Sequence, residues 1–303
     1  LKAIKSLKRR GYKPRPLKRV YIEKSNGKLR PLGIPVMFDR AQQALHLMAL
    51  EPVTETEADG NSYGFRRNRC TADAVDALHR LLSRKSSPKW ILEGDIKGCF
   101  DHISHDWLIR HVQTDKVILK KWLECGVVFN KLLSPTKEGT PQGGIISPTL
   151  ANAALDGMEK LVNQRYSKQY LGKGKWYVPK VNLIRYADDF VVTADKKETL
   201  EEIKTLLTDF LAQRGLTLSV EKTLITHISK GFDFLEFNIR KYNGTLLIKP
   251  SKKSQKKFTD KMHEVIFGHK AVEQHVLIDL LNPVIVGWGN YFKHAVSKEV
   301  FSR

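Results

Sequence analysis

Apolar positions along the chain switch between two periods: the alternation of strands and the i, i+3, i+4 recurrence of helices. The stretch VYIEKSNGKLRPLGIP, residues 20–35, predicts two strands around a turn at Asn26-Gly27, a dipeptide suited to tight hairpins. Helices are predicted over 39–50, with Ala41, Ala44, Leu45 and Met48 apolar, and over 71–84, with Val75, Leu78, Leu81 and Leu82 at helical spacing. Residues 89–95, KWILEGD, read as a strand ending in an acid. Residues 147–162 read as a helix with Ser147 as N-cap and Pro148 at its first position. Two strands follow over 181–186 and 190–194, joined by Ala187-Asp188-Asp189. A helix over 198–213, with Gly215 just past its end, leads to a strand over 216–222.

With a helical insertion at 104–130 set aside, the order from residue 89 is β-α-β-β-α-β, the split βαβ arrangement of an α+β, ferredoxin-like unit. A helical crossover makes the first two strands parallel, and a hairpin turns the third back to insert beside the first. The hairpin tip and the end of the first strand then lie at one edge of the sheet. Asp95 is therefore expected to meet Asp188 and Asp189 in space, although 93 residues separate it from Asp188.

Composition narrows the partner. The chain has 303 residues, long enough for two or three subdomains, and 52 Lys+Arg against 32 Asp+Glu give a formal charge of +20. Such an excess points to a polyanion. Nucleic acid is favoured over a membrane, because no apolar run approaches the roughly 18 residues a spanning helix needs. The first 30 residues carry 12 Lys+Arg against one acid, Glu23, and Pro14 and Pro16 interrupt any long helix. They read as a basic arm rather than a core element. Cys70, Cys99 and Cys125 include no C-x-x-C pair, which argues against a disulfide framework or a structural zinc site and fits a reducing interior. The first residue is Leu1, so a trimmed N-terminus is expected.

Three converging carboxylates repel one another unless a proton or cation compensates. Mg²⁺ is the natural compensator, since it prefers oxygen ligands and accepts phosphates and water in its shell. Two such ions about 4 Å apart activate a 3′-hydroxyl and stabilise a leaving pyrophosphate, the arrangement of nucleotidyl transfer. Asp is also a good turn residue, and Asp188 and Asp189 alone satisfy that reading equally.

Seven blocks in order decide between the two: VYIEKSNGKLRPLGIP, SYGFRRNRCTADAV, GDIKGCFDHI, GTPQGGIISPTLANAALD, RYADDF, GLTLSVEKT and FDFLEFNI. Together they resemble the reverse transcriptases encoded by bacterial group II introns. The resemblance implies the fingers and palm of a right-hand polymerase. The arm would span 1–30, the fingers 18–88, the palm 89–240 with a finger-linked helical insertion near 104–135, and the end of the palm plus a partial thumb or maturase region 241–303. The last region rests on LNPVIVGWGNYFKH, which resembles the start of the maturase segment.

The same resemblance implies roles for single residues. Asp95, Asp188 and Asp189 become catalytic metal ligands, with the Ile96 carbonyl as a further ligand, two Mg²⁺ as cofactors and Mn²⁺ as a substitute. Asp101 matches no ligand position. Phe100 aligns with the steric gate against a ribose 2′-hydroxyl; read alone it is a core aromatic. Gln142 and Gly143 align with the dNTP contact, where glycine permits close backbone approach. Lys222 aligns with a lysine near the triphosphate, and is equally readable as a solvated strand-end residue. Arg30 and Lys24 would neutralise the triphosphate, with Lys28 an alternative to Lys24. Lys8, Arg9, Arg10, Arg66, Arg67 and Arg69 would contact nucleic-acid phosphates. So would a stripe of Lys252, Lys253, Lys256 and Lys257, flanked by Lys249 and Lys261. FDFLEFNI departs from the family's FLGF form by placing Glu236 where glycine is expected.

The implied activity is RNA-directed DNA synthesis from dNTPs on an RNA template and DNA primer, with binding of the intron RNA and help in its splicing, in the bacterial cytoplasm. Two alternatives stay open: a non-catalytic RNA-binding maturase, and the reverse transcriptase of a retron or diversity-generating element.

Overall fold

The structure is a computed structural model that describes residues 7–23, 27, 29–172 and 174–302. Strands β1 (Leu17–Glu23) and β2 (Leu29–Ile34) pair antiparallel, as expected of a hairpin, with Glu23 opposite Leu29; Asn26 of the expected turn lies outside the described residues. Helix α1 (Met37–Glu57) extends beyond the predicted stretch at both ends, and α2 is Thr71–Leu82. After β3 (Trp90–Asp95) come three short helices, α3 (Cys99–His102), α4 (His105–His111) and α5 (Lys116–Leu123). The insertion is not wholly helical. It ends in a hairpin of β4 (Val127–Phe129) and β5 (Leu132–Ser134), and β4 runs parallel to β1, giving a four-stranded sheet of order β2-β1-β4-β5.

The single helix expected over 147–162 is two, α6 (Ser147–Leu155) and α7 (Met158–Arg165). Gly157, at φ +98°, breaks it, and the Asp59 carboxylate accepts from the Gly157 and Glu159 N–H groups at 3.0 and 3.1 Å, capping the second piece from outside. Ile146, not Ser147, holds the N-cap position of the first piece, because the helical conformation already begins at Ser147. A hairpin of β6 (Gln169–Gly172) and β7 (Lys175–Tyr177) follows, which the apolar pattern did not announce.

Strands β8 (Asn182–Tyr186) and β9 (Asp189–Ala194), helix α8 (Lys197–Ala212) and strand β10 (Leu224–His227) complete the central sheet, of order β10-β3-β9-β8. Strands β3 and β8 each pair antiparallel with β9 and so run parallel to one another, as the split βαβ order requires. The last strand differs from expectation. Residues 216–222 make only one bridge, Ile96 with Leu218, and the edge strand begins at Leu224. The alternation Leu216, Leu218, Val220 imitates a strand, yet Val220 is 84% exposed, because this segment runs past the end of the ladder.

Both faces of the central sheet are covered, which is why its strands read as continuous apolar runs. On one face Leu92, Phe190 and Val192 pack with Leu150 of α6 and with Leu200, Ile203 and Leu207 of α8. On the other, Ile91, Ile184 and Val191 meet Ala74 and Leu78 of α2 and a second sheet of β11 (Phe232–Phe234), β12 (Phe237–Tyr242) and β13 (Thr245–Pro250). A boundary at 240 would cut through β12, so that sheet is a unit reaching to 250. Helices α9 (Lys252–Gly268), α10 (Gln274–Phe292) and α11 (Lys298–Phe301) end the chain.

The arm is tied down more firmly than its composition suggested. Tyr12 is 2% exposed, donates to Asp39 Oδ1 at 2.7 Å and accepts from Trp122 Nε1 at 2.8 Å. The Arg15 N–H donates to the other Asp39 oxygen at 3.0 Å, so one buried carboxylate links the arm to α1. Cys70, Cys99 and Cys125 are free thiols. No helix among the described residues is long and apolar enough to cross a membrane.

Candidate active site

Register brings the acids together. Asp95 ends β3 directly opposite Asp189, the first residue of β9, and Asp188 lies in the two-residue loop between Tyr186 and Asp189. Burial in the cleft and the charge of Asp95 hold the Asp188 carboxyl above its ordinary range, while Arg30 and Lys222 pull it down. Asp189 is pushed up to about 7, by burial first and then by Asp188 and Asp95. The Asp189 residue itself is exposed at the start of β9. Lys222 reaches Asp95 Oδ2 at 2.8 Å, and this contact raises the lysine in turn.

Among the described residues no three His, Cys, Asp or Glu side chains stand close enough to hold a metal ion unaided. The donor chemistry nevertheless fits a hard divalent cation: three carboxylates share one edge, the proton affinity of Asp188 and Asp189 is raised there, and Lys222 is the one cation bound to any of the three among the described residues. Mg²⁺ completes its shell with phosphate oxygens and water, so a closed protein cage is not required.

The loop is built by residues that the sequence reading passed over. Ala187 has φ +56°, a costly conformation for a residue with a Cβ. Fully buried Arg185 holds it there, donating to the Ala187 carbonyl at 3.2 Å and to Asn152 Oδ1 at 3.0 Å, and pairing with Asp156. Asn152 Nδ2 donates to the Gly64 carbonyl at 2.8 Å. A Cβ on Gly64 would lie 2.4 Å from the Ala187 nitrogen, so only glycine lets SYGF pack against the loop. The signal was available in RYADDF itself: an arginine inside an apolar strand needs a buried acid, and Asp156 ends the quoted block GTPQGGIISPTLANAALD.

Two segments close the site. Residues 217–219 are fastened to 95–97 by Lys97 N–H to the Thr217 carbonyl at 2.9 Å and Ser219 N–H to the Asp95 carbonyl at 2.8 Å, which fixes where Lys222 emerges. In this bridge pattern Ile96 keeps its own carbonyl turned away from the 217–219 segment. Residues 139–144 are strapped over α3, with Thr140 N–H to the Phe100 carbonyl at 2.7 Å. The Gln142 carbonyl accepts from Gly33 of β2 at 2.8 Å, and Gly143, at φ +120°, lies beside the Gly33 carbonyl. Gln142 and Gly143 thus join the 139–144 segment to β2. Half-buried Phe100 packs on the core and meets Phe65 edge-on, with ring centroids 5.9 Å apart. Phe65, exposed at φ +60°, is a further cleft residue that the motif reading left without a role.

The expected nucleic-acid contacts divide. Arg66 is turned inward, its guanidinium held by Glu55 and by the Asp59 and Ser62 carbonyls, so a phosphate would have to displace internal partners. Arg69 donates to the Gly60 and Ser62 carbonyls, while Arg67 is exposed and pairs with Glu51 at 2.8 Å. Lys8 and Arg10 are exposed, and Arg9 pairs with Asp115. Lys252, Lys253 and Lys256 are exposed on α9, with no acid within ion-pair distance among the described residues; Lys257 pairs with Glu236 at 2.7 Å. Lys24 lies outside the described residues, as does Lys28.

A family model described as reverse transcriptase (RNA-dependent DNA polymerase) matches residues 22–239, and one described as group II intron, maturase-specific domain matches residues 255–303. Protein YkfC of Escherichia coli (strain K12) is 35% identical, over 74% of this chain and 66% of its own length. The group II intron-encoded protein LtrA of Lactococcus lactis subsp. cremoris is 32% identical, over 90% of this chain and 56% of its own length. The chain therefore spans between half and two thirds of these relatives. Among solved structures, telomerase from Candida tropicalis in complex with a TWJ fragment of telomeric RNA superposes with a TM-score of 0.57 at 14% identity, covering 92% of this chain and 53% of that one. Telomerase from Candida albicans gives 0.55 at 15% identity, covering 96% of this chain and 57% of that one. At such identity the likeness shows the fold alone, a mixed α+β reverse-transcriptase fold. With both family models matched in order along one chain, this protein belongs to the group II intron reverse transcriptase/maturase family.

Proposed function

We propose that this protein is an RNA-directed DNA polymerase that extends a DNA primer on an RNA template with dNTPs, binds group II intron RNA and assists its splicing and mobility. The observation that carries the reading is the pairing of Asp95 with Asp189 at the end of the sheet, with Asp188 in the adjoining loop. Asp95, Asp188, Asp189 and the Ile96 carbonyl would hold two divalent ions, Mg²⁺ or Mn²⁺, whose bound chemistry is activation of the primer 3′-hydroxyl and stabilisation of the leaving pyrophosphate.

The remaining roles belong to the chain. Arg30, whose charge is felt at Asp188 across the cleft, binds the triphosphate together with Lys24. Phe100, braced by Phe65, rejects a 2′-hydroxyl by occupying its space and leaving it unpaired. Gln142 and Gly143 position the incoming nucleotide between β2 and the palm. Lys222 neutralises Asp95 until substrate arrives; its ammonium then serves the triphosphate and can return a proton to pyrophosphate. Lys8, Arg10, Arg67 and the α9 lysines carry the backbone contacts to nucleic acid.

Primer extension on a primed RNA template tests the reading. Wild type should incorporate dNTPs with Mg²⁺, and Asp188→Asn should lose about two orders of magnitude or more while retaining RNA binding, because removing one ligand charge weakens stabilisation of the leaving group. No incorporation by wild type with either Mg²⁺ or Mn²⁺ would leave the non-catalytic maturase as the function.

A further inference from the structure

The edge of the palm opposite the acids carries a second concentration of nucleic-acid chemistry. Strand β8 starts there at Asn182 and reaches the Asp188 loop six residues later, a separation of about 20 Å at strand rise. A groove of about 510 Å³ opens at that edge between the end of α2 and the roots of the β6–β7 hairpin. Its lining includes Arg80, Arg84, Tyr166, Lys168, Pro179 and Lys180. Two of these cations are neutralised, Arg80 by Asp76 at 3.1 Å and Lys180 by Asp195 at 3.0 Å. Arg84 and Lys168 are exposed with no acid within ion-pair distance among the described residues, and so is Lys175 on the hairpin above.

The hairpin adds what a salt-bridged surface lacks. Tyr170 and Trp176 face each other across its two strands, ring centroids 5.0 Å apart, and remain 59% and 60% exposed. Beside them Lys196 lies 5.2 Å from the Tyr177 ring centroid. A two-stranded ribbon is marginal alone, and large aromatic rings left in water on both strands do nothing for the core. Aromatic faces flanked by unpaired cations are the chemistry that binds single strands: the rings stack on unpaired bases and the cations follow the phosphates.

We propose that the β6–β7 hairpin and the groove at its base form a second RNA site, which takes an unpaired RNA segment with bases on Tyr170 and Trp176 and phosphates on Arg84, Lys168 and Lys175. The inference rests on the reading of this protein as an intron-RNA binder. It goes beyond that reading by placing an unpaired stretch on the far side of the palm, where it can stay bound while the cleft holds primer and template.

The test uses the whole chain, with its cleft saturated by a primed duplex, and a fluorescent single-stranded RNA of about 12 nucleotides as probe, within the usual span of such sites. Trp176→Ala and Tyr170→Ala should each weaken the probe about tenfold, Trp176→Phe should stay within about threefold, and Arg84→Glu with Lys168→Glu should also flatten the salt dependence. Primer extension at saturating duplex should be unchanged in all of them, which excludes misfolding as the cause. Probe affinity unmoved by the aromatic variants would overturn the proposal. So would equal weakening of a blunt RNA duplex, since stacking on unpaired bases would then play no part. Asp188→Asn should keep the hairpin-dependent binding, so failure of the polymerase reading and failure of this one give different results.

Discussion

At the residue scale the site depends on one buried arginine. Arg185 is fully buried, and the Asp156 carboxyl that faces it is nearly so. Burial pushes Asp156 up to about 6 in spite of the guanidinium, with Asp59 adding to the rise. A carboxyl whose folded-state pKa lies above its unfolded value stabilises the fold at low pH and loses that contribution as pH rises through the folded pKa. The thermal midpoint of wild type relative to Asp156→Asn should therefore fall as pH goes from about 4 to about 6 and level off above. A difference that stays flat across this window would show that Arg185 holds the carboxyl ionised throughout. The functional consequence follows from the hydrogen bonds: the arginine that Asp156 neutralises is the one fixing Ala187, and Ala187 aims Asp188.

At the element scale the tightest constraint is the β11–β12 turn. Leu235 and Glu236 both have positive φ, +50° and +68°, so the position where the family places glycine is one where the backbone favours it. Glu236 stays because Lys257 of α9 pairs with it at 2.7 Å, although its Oε2 is buried without a partner. The carboxylate therefore ties the sheet to the lysine helix instead of facing a phosphate. Relief of a left-handed residue amounts to roughly 1–2 kcal/mol. A partly exposed ion pair contributes at most about 1 kcal/mol. Glu236→Gly should thus leave stability unchanged or raise it by up to about 2 kcal/mol, read as the denaturation midpoint. A clear fall would mean that the Lys257 pair outweighs the backbone strain.

At the scale of the whole molecule the charge of +20 is not spread evenly in function. Lys252, Lys253 and Lys256 stand in water without acid partners among the described residues, whereas Arg66 is bound to its own protein. Each phosphate contact contributes about 0.7–0.9 to the slope of log K against log salt. Changing the three lysines to Gln should lower the slope for primed RNA template by about two. Arg66→Gln should leave the slope alone and lower the melting temperature instead. A reduced slope for Arg66→Gln would show that the arginine leaves its internal partners on binding.

What the sequence determined by itself was the order of the central elements and the family to which the chain belongs. The β-α-β-β-α-β order follows from period changes alone, and handedness then forces Asp95 toward Asp188 and Asp189. The antiparallel pairing of the two strands flanking Asn26-Gly27 was equally legible. Tertiary structure decided wherever a local pattern had two solutions. The alternation Leu216, Leu218, Val220 satisfies a strand, but the ladder ends at Asp95 and the segment becomes the strap that presents Lys222. The periodicity of 147–162 satisfies one helix, but Asp59, far off in sequence, caps a second and frees Asp156 for Arg185. Twelve basic residues in the first 30 suggest a free arm, but Tyr12 finds Asp39 and Trp122. In the last two cases the deciding partner was a buried carboxylate, Asp59 or Asp39, whose cost of going unpaired exceeds any local preference, and such partners are distant in sequence.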